Sequence, residues 1–378
     1  MKLSRTSGRR ALSLGAALAA GALVLTGCGS DDNSGLPGAV DFSVDDLRCG
    51  PAGTLLASGS SAQANAMEVW VNTYQANCEG SQINYKATGS GAGVQEFLQG
   101  TTAFAGSDSL LSEGEVAESR RVCRDDGRAI HLPMAAGPIA LGYNLPGVPE
   151  LNLDADTLAQ VFDSRITRWN DPAIAALNPG VELPDLAITP FHRSDGSGTT
   201  ENLTSYLHAS APESWPYEPD KAWRGHGGQS ADGSSGLVGM VQQNVGAIAY
   251  FELSYAHQNG LDTVRIDTGA DEPVAATVDN SSNAIAEAEV VGEDGDLALE
   301  LDYATREEGV YPIVLVTYEI VCDTGNDPAT TELTRAFLEY TAGEEGQRAL
   351  AEIDYAPISD DIIEQVRDRV EAMDRGQG

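Results

Sequence analysis

A unit that occurs twice constrains this chain most: an alternating apolar run, a turn of glycine and hydroxyl residues, then apolar residues at helical spacing. In the first, Ile83, Tyr85 and Ala87 alternate through "SQINYKATG", and Val94, Phe97 and Leu98 take up helical spacing in "GSGAGVQEFLQG". In the second, Leu186, Ile188 and Pro190 lead into "RSDGSGTT" at 193–200, with Leu203, Tyr206 and Leu207 behind it. Strand, tight turn and helix make a βα unit, and repeated units imply an α/β fold with a largely parallel sheet covered by helices. A chain of 378 residues is too long for a single small core, so two domains are expected.

Two longer apolar runs suggest how such domains would be joined. "IHLPMAAGPIALGYNLPG" is extended but interrupted near Pro133 to Gly137, either by a bulge in one strand or by passage between domains. "VYPIVLVTYEIVC", with Pro312 near its start, is a candidate for the return passage. "SSAQANAMEVWVNTYQANC" has the spacing of an amphipathic helix, and a last amphipathic helix closes the chain.

The N-terminus bears on the compartment. Lys2, Arg5, Arg9 and Arg10 precede an uncharged apolar stretch from Ala11 to Leu25. That stretch is short of the about 20 residues a membrane span needs and suits the core of a signal peptide. It ends in "LTGCGSDDNSG", a small residue before a cysteine, similar to the processing site of bacterial lipoproteins. The expectation is a signal peptide over 1–27, lipidation of Cys28 as the new N-terminus, and a flexible acidic tether over 28–46. Loss of the four leader cations would take the net charge from −35 to −39. A nucleic-acid partner is disfavoured by that balance. Cys49, Cys78, Cys123 and Cys322 remain, an even number in an oxidising compartment, which suggests two disulfides of open connectivity. No Cys/His grouping has metal-site spacing, so neither metal nor cofactor is expected.

Four short stretches carry the chemistry: "ASGSSAQ" (57–63), "TGSGAG" (88–93), "AFAGSD" (103–108) and "RSDGSGTT" (193–200). Helix N-termini leave backbone N–H groups unpaired and carry partial positive charge, glycines let the backbone close on a ligand, and hydroxyls add donors. Singly, Ser61, Ser90 and Ser197 would serve as helix caps. Together with Arg193 and Asp108 they suggest a cradle for an anion.

"GSGAGVQEFLQGTTAFAGSD", "HRSDGSGTTENLTSYL" and "GAIAYFELSYAHQNGL" resemble the phosphate-binding (PstS) family of bacterial phosphate ABC transporters, with "WNDPAIAALNPG" and "DYAPIS" in support; the likeness runs from about Gly53 to Val370. It implies the type 2 periplasmic-binding-protein fold: two α/β lobes joined by two extended crossovers, with the ligand between them. The corresponding bounds are 47–136 and 311–378 for lobe I and 137–310 for lobe II. It further implies that Ser61, Ala62, Ser90, Asp108, Arg193, Ser197, Gly198 and Thr199 bind phosphate, with Asp195 holding Arg193. Relatives often carry Thr-Phe where this chain has Ser61-Ala62; the hydroxyl is kept and the aromatic wall is lost. Implied partners are a membrane permease and its ATPase subunits, on the extracytoplasmic face of a membrane to which Cys28 is anchored by lipid.

The residue types fit that implication. Phosphate near neutral pH keeps a proton and sulfate does not, so an ionised Asp108 among donors completes a hydrogen-bond set with one and repels the other. Two other readings compete with it. A serine hydrolase or phosphate-ester enzyme would use Ser197, but "GSG" is not a nucleophile elbow and no histidine is tied to it by motif. His192 adjoins Arg193 but should point to the other side of an extended strand. A surface antigen or adhesin would leave the four stretches without a task.

Overall fold

The computed structural model describes Val44 and residues 47–373. The expected signal peptide, Cys28 and nearly all of the tether lie outside the described residues. Strand β1 (Gly53–Gly59) leads into helix α1 (Ala64–Asn77); β2 (Ser81–Lys86) leads into α2 (Ser90–Leu98); β3 (Phe104–Ser107) ends at Asp108. The fifteen residues of β4 (Ala129–Tyr143) are buried throughout. The second repeat of the unit is the strand Thr189–Arg193 followed by the helix Gly198–Ser210, and the late apolar run forms the strand Val314–Cys322.

All of these strands belong to one nine-stranded sheet. β1 pairs in parallel with β2 and β3. Thr189–Arg193 pairs in parallel with the strands Ala247–Glu252 and Gln229–Ala231. The two groups meet through β4 and Val314–Cys322, which pair antiparallel with each other and, respectively, with Ala247–Glu252 and β3. The sheet is therefore mixed rather than largely parallel. Each βα group keeps the parallel pairing its crossover helices require, and only two strands that leave and return reverse it.

The interruption near Pro133 is both of the things its sequence suggested. The register between β4 and Val314–Cys322 shifts between Thr317 and Tyr318, opposite Ala135 and Pro133, which leaves Met134 as an extra residue. A bulge is where a central strand tolerates a proline, which has no N–H for the ladder. Just beyond it the packing changes partners. Leu132, Met134 and Ala136 belong to a first buried cluster with Trp70, Phe104 and Phe337, whereas Ile139 and Leu141 belong to a second with Phe162, Trp169 and Phe191. On the returning strand Leu315 packs in the second cluster and Val316 in the first. We propose lobe bounds that follow these clusters, close to those drawn from the sequence. The exceptions are Ile285, Leu297 and Leu299, which come from the middle span yet pack in the first cluster.

Two disulfides close the first lobe. Cys49–Cys78 ties the entry to β1 to the end of α1, across 29 positions, and Cys123–Cys322 ties the approach to β4 to the end of the returning strand, across 199. Cross-links act in large part by restricting the unfolded chain, more for longer loops, and losing a native one costs about 2–5 kcal/mol. Replacing both Cys123 and Cys322 by Ala should therefore destabilise the protein by about 1–2 kcal/mol more than replacing Cys49 and Cys78, as read by urea unfolding.

Candidate functional site

The four stretches converge at the ends of β1, β3 and Thr189–Arg193 and at the starts of α2 and Gly198–Ser210. Gly89 makes the first approach possible: its φ of +87° lies in the left-handed region, and a Cβ there would stand 2.3 Å from Asp195 Oδ2. The backbone N–H of Gly91 then donates to the carbonyl of Gly196 at 2.9 Å, joining the two glycine turns directly. At Gly198 a Cβ would fall 2.7 Å from the Cβ of Asp108 and 2.8 Å from Ser90 Oγ, so only glycine lets these three residues meet.

Asp108 is the hub. Its backbone N–H donates to Ser90 Oγ at 3.1 Å, and Ser90 Oγ also accepts from the N–H of Gly198 at 3.3 Å. Thr199 Oγ1 donates to Asp108 Oδ2 at 3.2 Å and Thr317 Oγ1 donates to Oδ1 at 2.8 Å. Asn202 donates to the Asp108 carbonyl at 2.8 Å. Burial pushes the Asp108 carboxyl above its ordinary range, while hydroxyls of Ser60, Thr317 and Thr199 and the positive charge of Arg193 pull it back.

Arg193 is 3 % exposed and its guanidinium is clamped by Asp195, through Nε to Oδ1 at 2.7 Å and Nη2 to Oδ2. Burial works against the arginine charge, but Asp195 outweighs it and holds the guanidinium pKa above its usual value. Burial likewise opposes the Asp195 charge, yet Arg193 and the N–H of Gly233 leave its carboxyl below the ordinary range. Tyr250 braces the other side: its hydroxyl accepts from the Arg193 N–H at 3.1 Å and lies 2.7 Å from Thr200 Oγ1.

The remaining expected residues take less expected places. Ser197 caps its helix, Oγ accepting from the Thr200 N–H at 3.2 Å, and its own proton stays available for donation. Among the described residues no hydrogen bond links it to a histidine. His192 instead stacks on Trp223, ring centroids 4.9 Å apart. Ser61 turns across the cleft, with Oγ accepting from the Ser234 N–H at 3.0 Å and standing 3.1 Å from Ser234 Oγ. Ala62 donates its N–H to Ser60 Oγ at 3.0 Å. Ser60 rather than Ser61 thus supplies the first-loop hydroxyl that bears on Asp108. Ser60, Ser234, Thr317 and Asn202 went unnoticed in the sequence. Ser60 lay within the first of the four stretches, and Ser234 had a signal of its own, since "SADGSSG" repeats the hydroxyl and glycine turn before a helix.

The whole is a buried cluster of donors around the Asp108 carboxylate, suited to an anion that carries a proton. No group of His, Cys, Asp and Glu among the described residues could hold a metal ion.

Comparison with known proteins bears on what such a cluster serves. Residues 50–345 match the family model described as a PBP superfamily domain. "Phosphate-binding protein PstS 3" of Mycobacterium leprae is 44% identical over 347 residues, covering 91% of this chain and 93% of that protein. Among solved structures, the high affinity periplasmic phosphate-binding protein PfluDING bound with phosphate superposes with a TM-score of 0.68 at 20% identity, over 84% of this chain and 93% of that one. The phosphate binding protein from Stenotrophomonas maltophilia gives 0.66 at 19% identity, over 84% and 94%. At such identities the two structures bear on the fold alone.

The Arg193–Asp195 pair yields a stability prediction. Removing one partner of a buried pair strands the other, at about 3–5 kcal/mol. Asp195→Asn should lower unfolding stability at pH 7 by about 3 kcal/mol. Because the folded-state pKa of Asp195 is depressed, its contribution is fully present above its unfolded value of 3.8 and lost as pH falls through the depressed value. Urea unfolding of wild type and variant should therefore converge at low pH.

Proposed function

The chain belongs to the PBP superfamily and, within it, to the PstS phosphate-binding proteins, and from that premise we propose that it captures inorganic phosphate between its two lobes and delivers it to an ABC-type importer. The observation that carries the reading is Asp108, a buried acceptor set among donors. Phosphate receives bonds from the Ser197 hydroxyl, the Thr199 backbone and Arg193 steadied by Asp195, and it displaces the internal bonds by which Ser61, Ser90, Ala62 and Gly198 hold their neighbours in the structure. Its proton goes to Asp108. Sulfate, without a proton, sets an acceptor against an acceptor, and a site built on hydrogen bonds rejects such a ligand by about 10⁴–10⁵.

Capture and release follow from the two strands that join the lobes. β4 and Val314–Cys322 are the hinge. Bonds from both lobes to one anion favour the closed arrangement, which the permease recognises. The anchor is a lipid on Cys28, with residues 28–46 as tether and the domain on the extracytoplasmic face. No helix among the described residues is long and apolar enough to cross a membrane. A net charge of −35 does not forbid an anionic ligand, because exposed charges beyond about 8 Å are screened at physiological ionic strength and buried donors are not.

Titration calorimetry on the anion-free mature protein tests this. One-to-one tight binding of phosphate with sulfate silent is the expected result; silence with both anions would overturn it. Arg193→Ala should abolish tight binding. Asp108→Asn should narrow the preference for phosphate over sulfate by about a hundredfold, a fraction of the full discrimination. In the wild type that preference should shrink as pH falls, beginning above the ordinary carboxylate range because the Asp108 pKa is raised.

A further inference from the structure

Behind the first loop lies a second acid that the binding scheme does not use. Glu319 sits in the middle of Val314–Cys322, opposite Gly106 of β3 and Leu132 of β4. It is 1 % exposed, and neither of its carboxylate oxygens has a hydrogen-bond partner. No salt bridge reaches it among the described residues. The polar side chain that bears on it is the amide of Gln63, which is itself fully buried with Oε1 unpartnered. Gly106 makes room for this group: a Cβ there would collide with Gln63 Nε2 and with the Tyr85 hydroxyl.

From Gln63 a chain runs to the anion site. Gln63 Nε2 donates to Tyr85 Oη at 2.9 Å, and Tyr85 Oη donates to the Ser60 carbonyl at 2.8 Å. Ser60 holds the N–H of Ala62 and bears on Asp108. In this direction two groups of the Gln63 amide are left over, the second N–H of Nε2 and the unpartnered Oε1. A neutral carboxyl can accept that N–H and give its own proton to Oε1, whereas a carboxylate can only accept and leaves Oε1 without a donor. An ionised Glu319 would also be a bare buried charge, which proteins avoid by neutralising the group.

We propose that Glu319 is a positioning residue for phosphate binding: its carboxyl proton closes the chain Glu319, Gln63, Tyr85, Ser60 that sets the first loop, and loss of that proton at alkaline pH loosens the site. The inference rests on the phosphate-binding reading above. Burial above all raises the Glu319 pKa, Gln63 eases it, and the negative charge of Asp108 adds to it, the result being about 8. The other titratable groups facing the cluster are Tyr85, Tyr255 and Asp108, with Arg193 acting on the last two. Both tyrosines are pushed above their ordinary range, so they stay neutral where Glu319 ionises. Ionisation would have two effects of the same sign. It adds a negative charge behind an anion site, and it draws the Gln63 amide toward itself and away from Tyr85.

The test compares the full mature chain with Glu319→Gln, whose amide copies the neutral acid. Phosphate dissociation constants are measured by calorimetry from about pH 6 to about pH 9.5, spanning the raised value. Titration of phosphate itself is common to both proteins and cancels in their ratio. The wild-type constant should rise relative to that of the variant by about tenfold across the window, the equivalent of one pKa unit of coupling. A flat ratio would overturn the proposal. Urea unfolding without phosphate decides separately. Because the folded-state pKa is raised above the ordinary 4.5, the stability Glu319 contributes is full below that value and is lost as pH rises to about 8. Wild type should thus lose stability relative to Glu319→Gln across that range, and parallel curves would sink the assignment. Absence of phosphate binding by either protein would defeat the functional reading, while the unfolding comparison would still judge Glu319. Should Glu319→Gln not fold, Glu319→Met, neutral and of similar length, supplies the same comparison.

Discussion

The structure depends on one antiparallel pairing, that of β4 with Val314–Cys322. Each strand spends one end in the core of one lobe and the other end in the core of the second, so two hydrophobic cores share two continuous strands. Ladder hydrogen bonds make the pair stiff along its length, and the bulge at Met134 falls where the cores hand over. This pairing also places the site. Thr317, next to the bulge, is the residue of the returning strand that grips Asp108, so the joint between lobes and the acceptor of the site are one hydrogen bond apart.

An acidic protein holds this site without any excess of positive charge nearby. Among the described residues Arg193 is the single cation bonded within it, and Asp195 already balances it. What remains is dipolar: helix N-termini at Ser90 and Gly198 and a set of hydroxyls, all buried. Such donors act over short range and are insensitive to distant surface charge, so the acidity of the surface and the chemistry of the cleft vary independently.

How much of this was legible in the sequence follows the same division between local and distant effects. Glycine turns before helices are local, and the structure brings residues of three such stretches together: Ser90, Asp108 and Gly198 meet, with Arg193 acting on Asp108. The two long apolar runs identified the joining strands, and the prolines in them marked the places where the ladder is broken or begins. Pairing direction was not legible, because it depends on which strands meet. Nor were Thr317 and Glu319. Each is a polar residue inside an apolar strand, and its partner lies on a strand about two hundred positions away, at Asp108 and Gly106. The choice between Ser60 and Ser61 was equally hidden. Adjacent hydroxyls look alike in sequence, whereas in the structure Ser60 bears on Asp108 and Ser61 meets Ser234, just after Gly59, whose φ of +147° and close approach to Gly106 leave no room for a Cβ.

Thr199 shows how these details change the chemistry. A hydroxyl has one proton, and that of Thr199 is donated to Asp108. Thr317 spends its proton on the other oxygen of the same carboxylate. Both oxygens are thereby fixed in direction, and the lone pairs left on them face only a limited part of the cleft. The resemblance implied that Thr199 gives its hydroxyl or its backbone to the anion. With the hydroxyl committed to Asp108, the backbone at the start of Gly198–Ser210 is what Thr199 has left to offer in the proposed scheme.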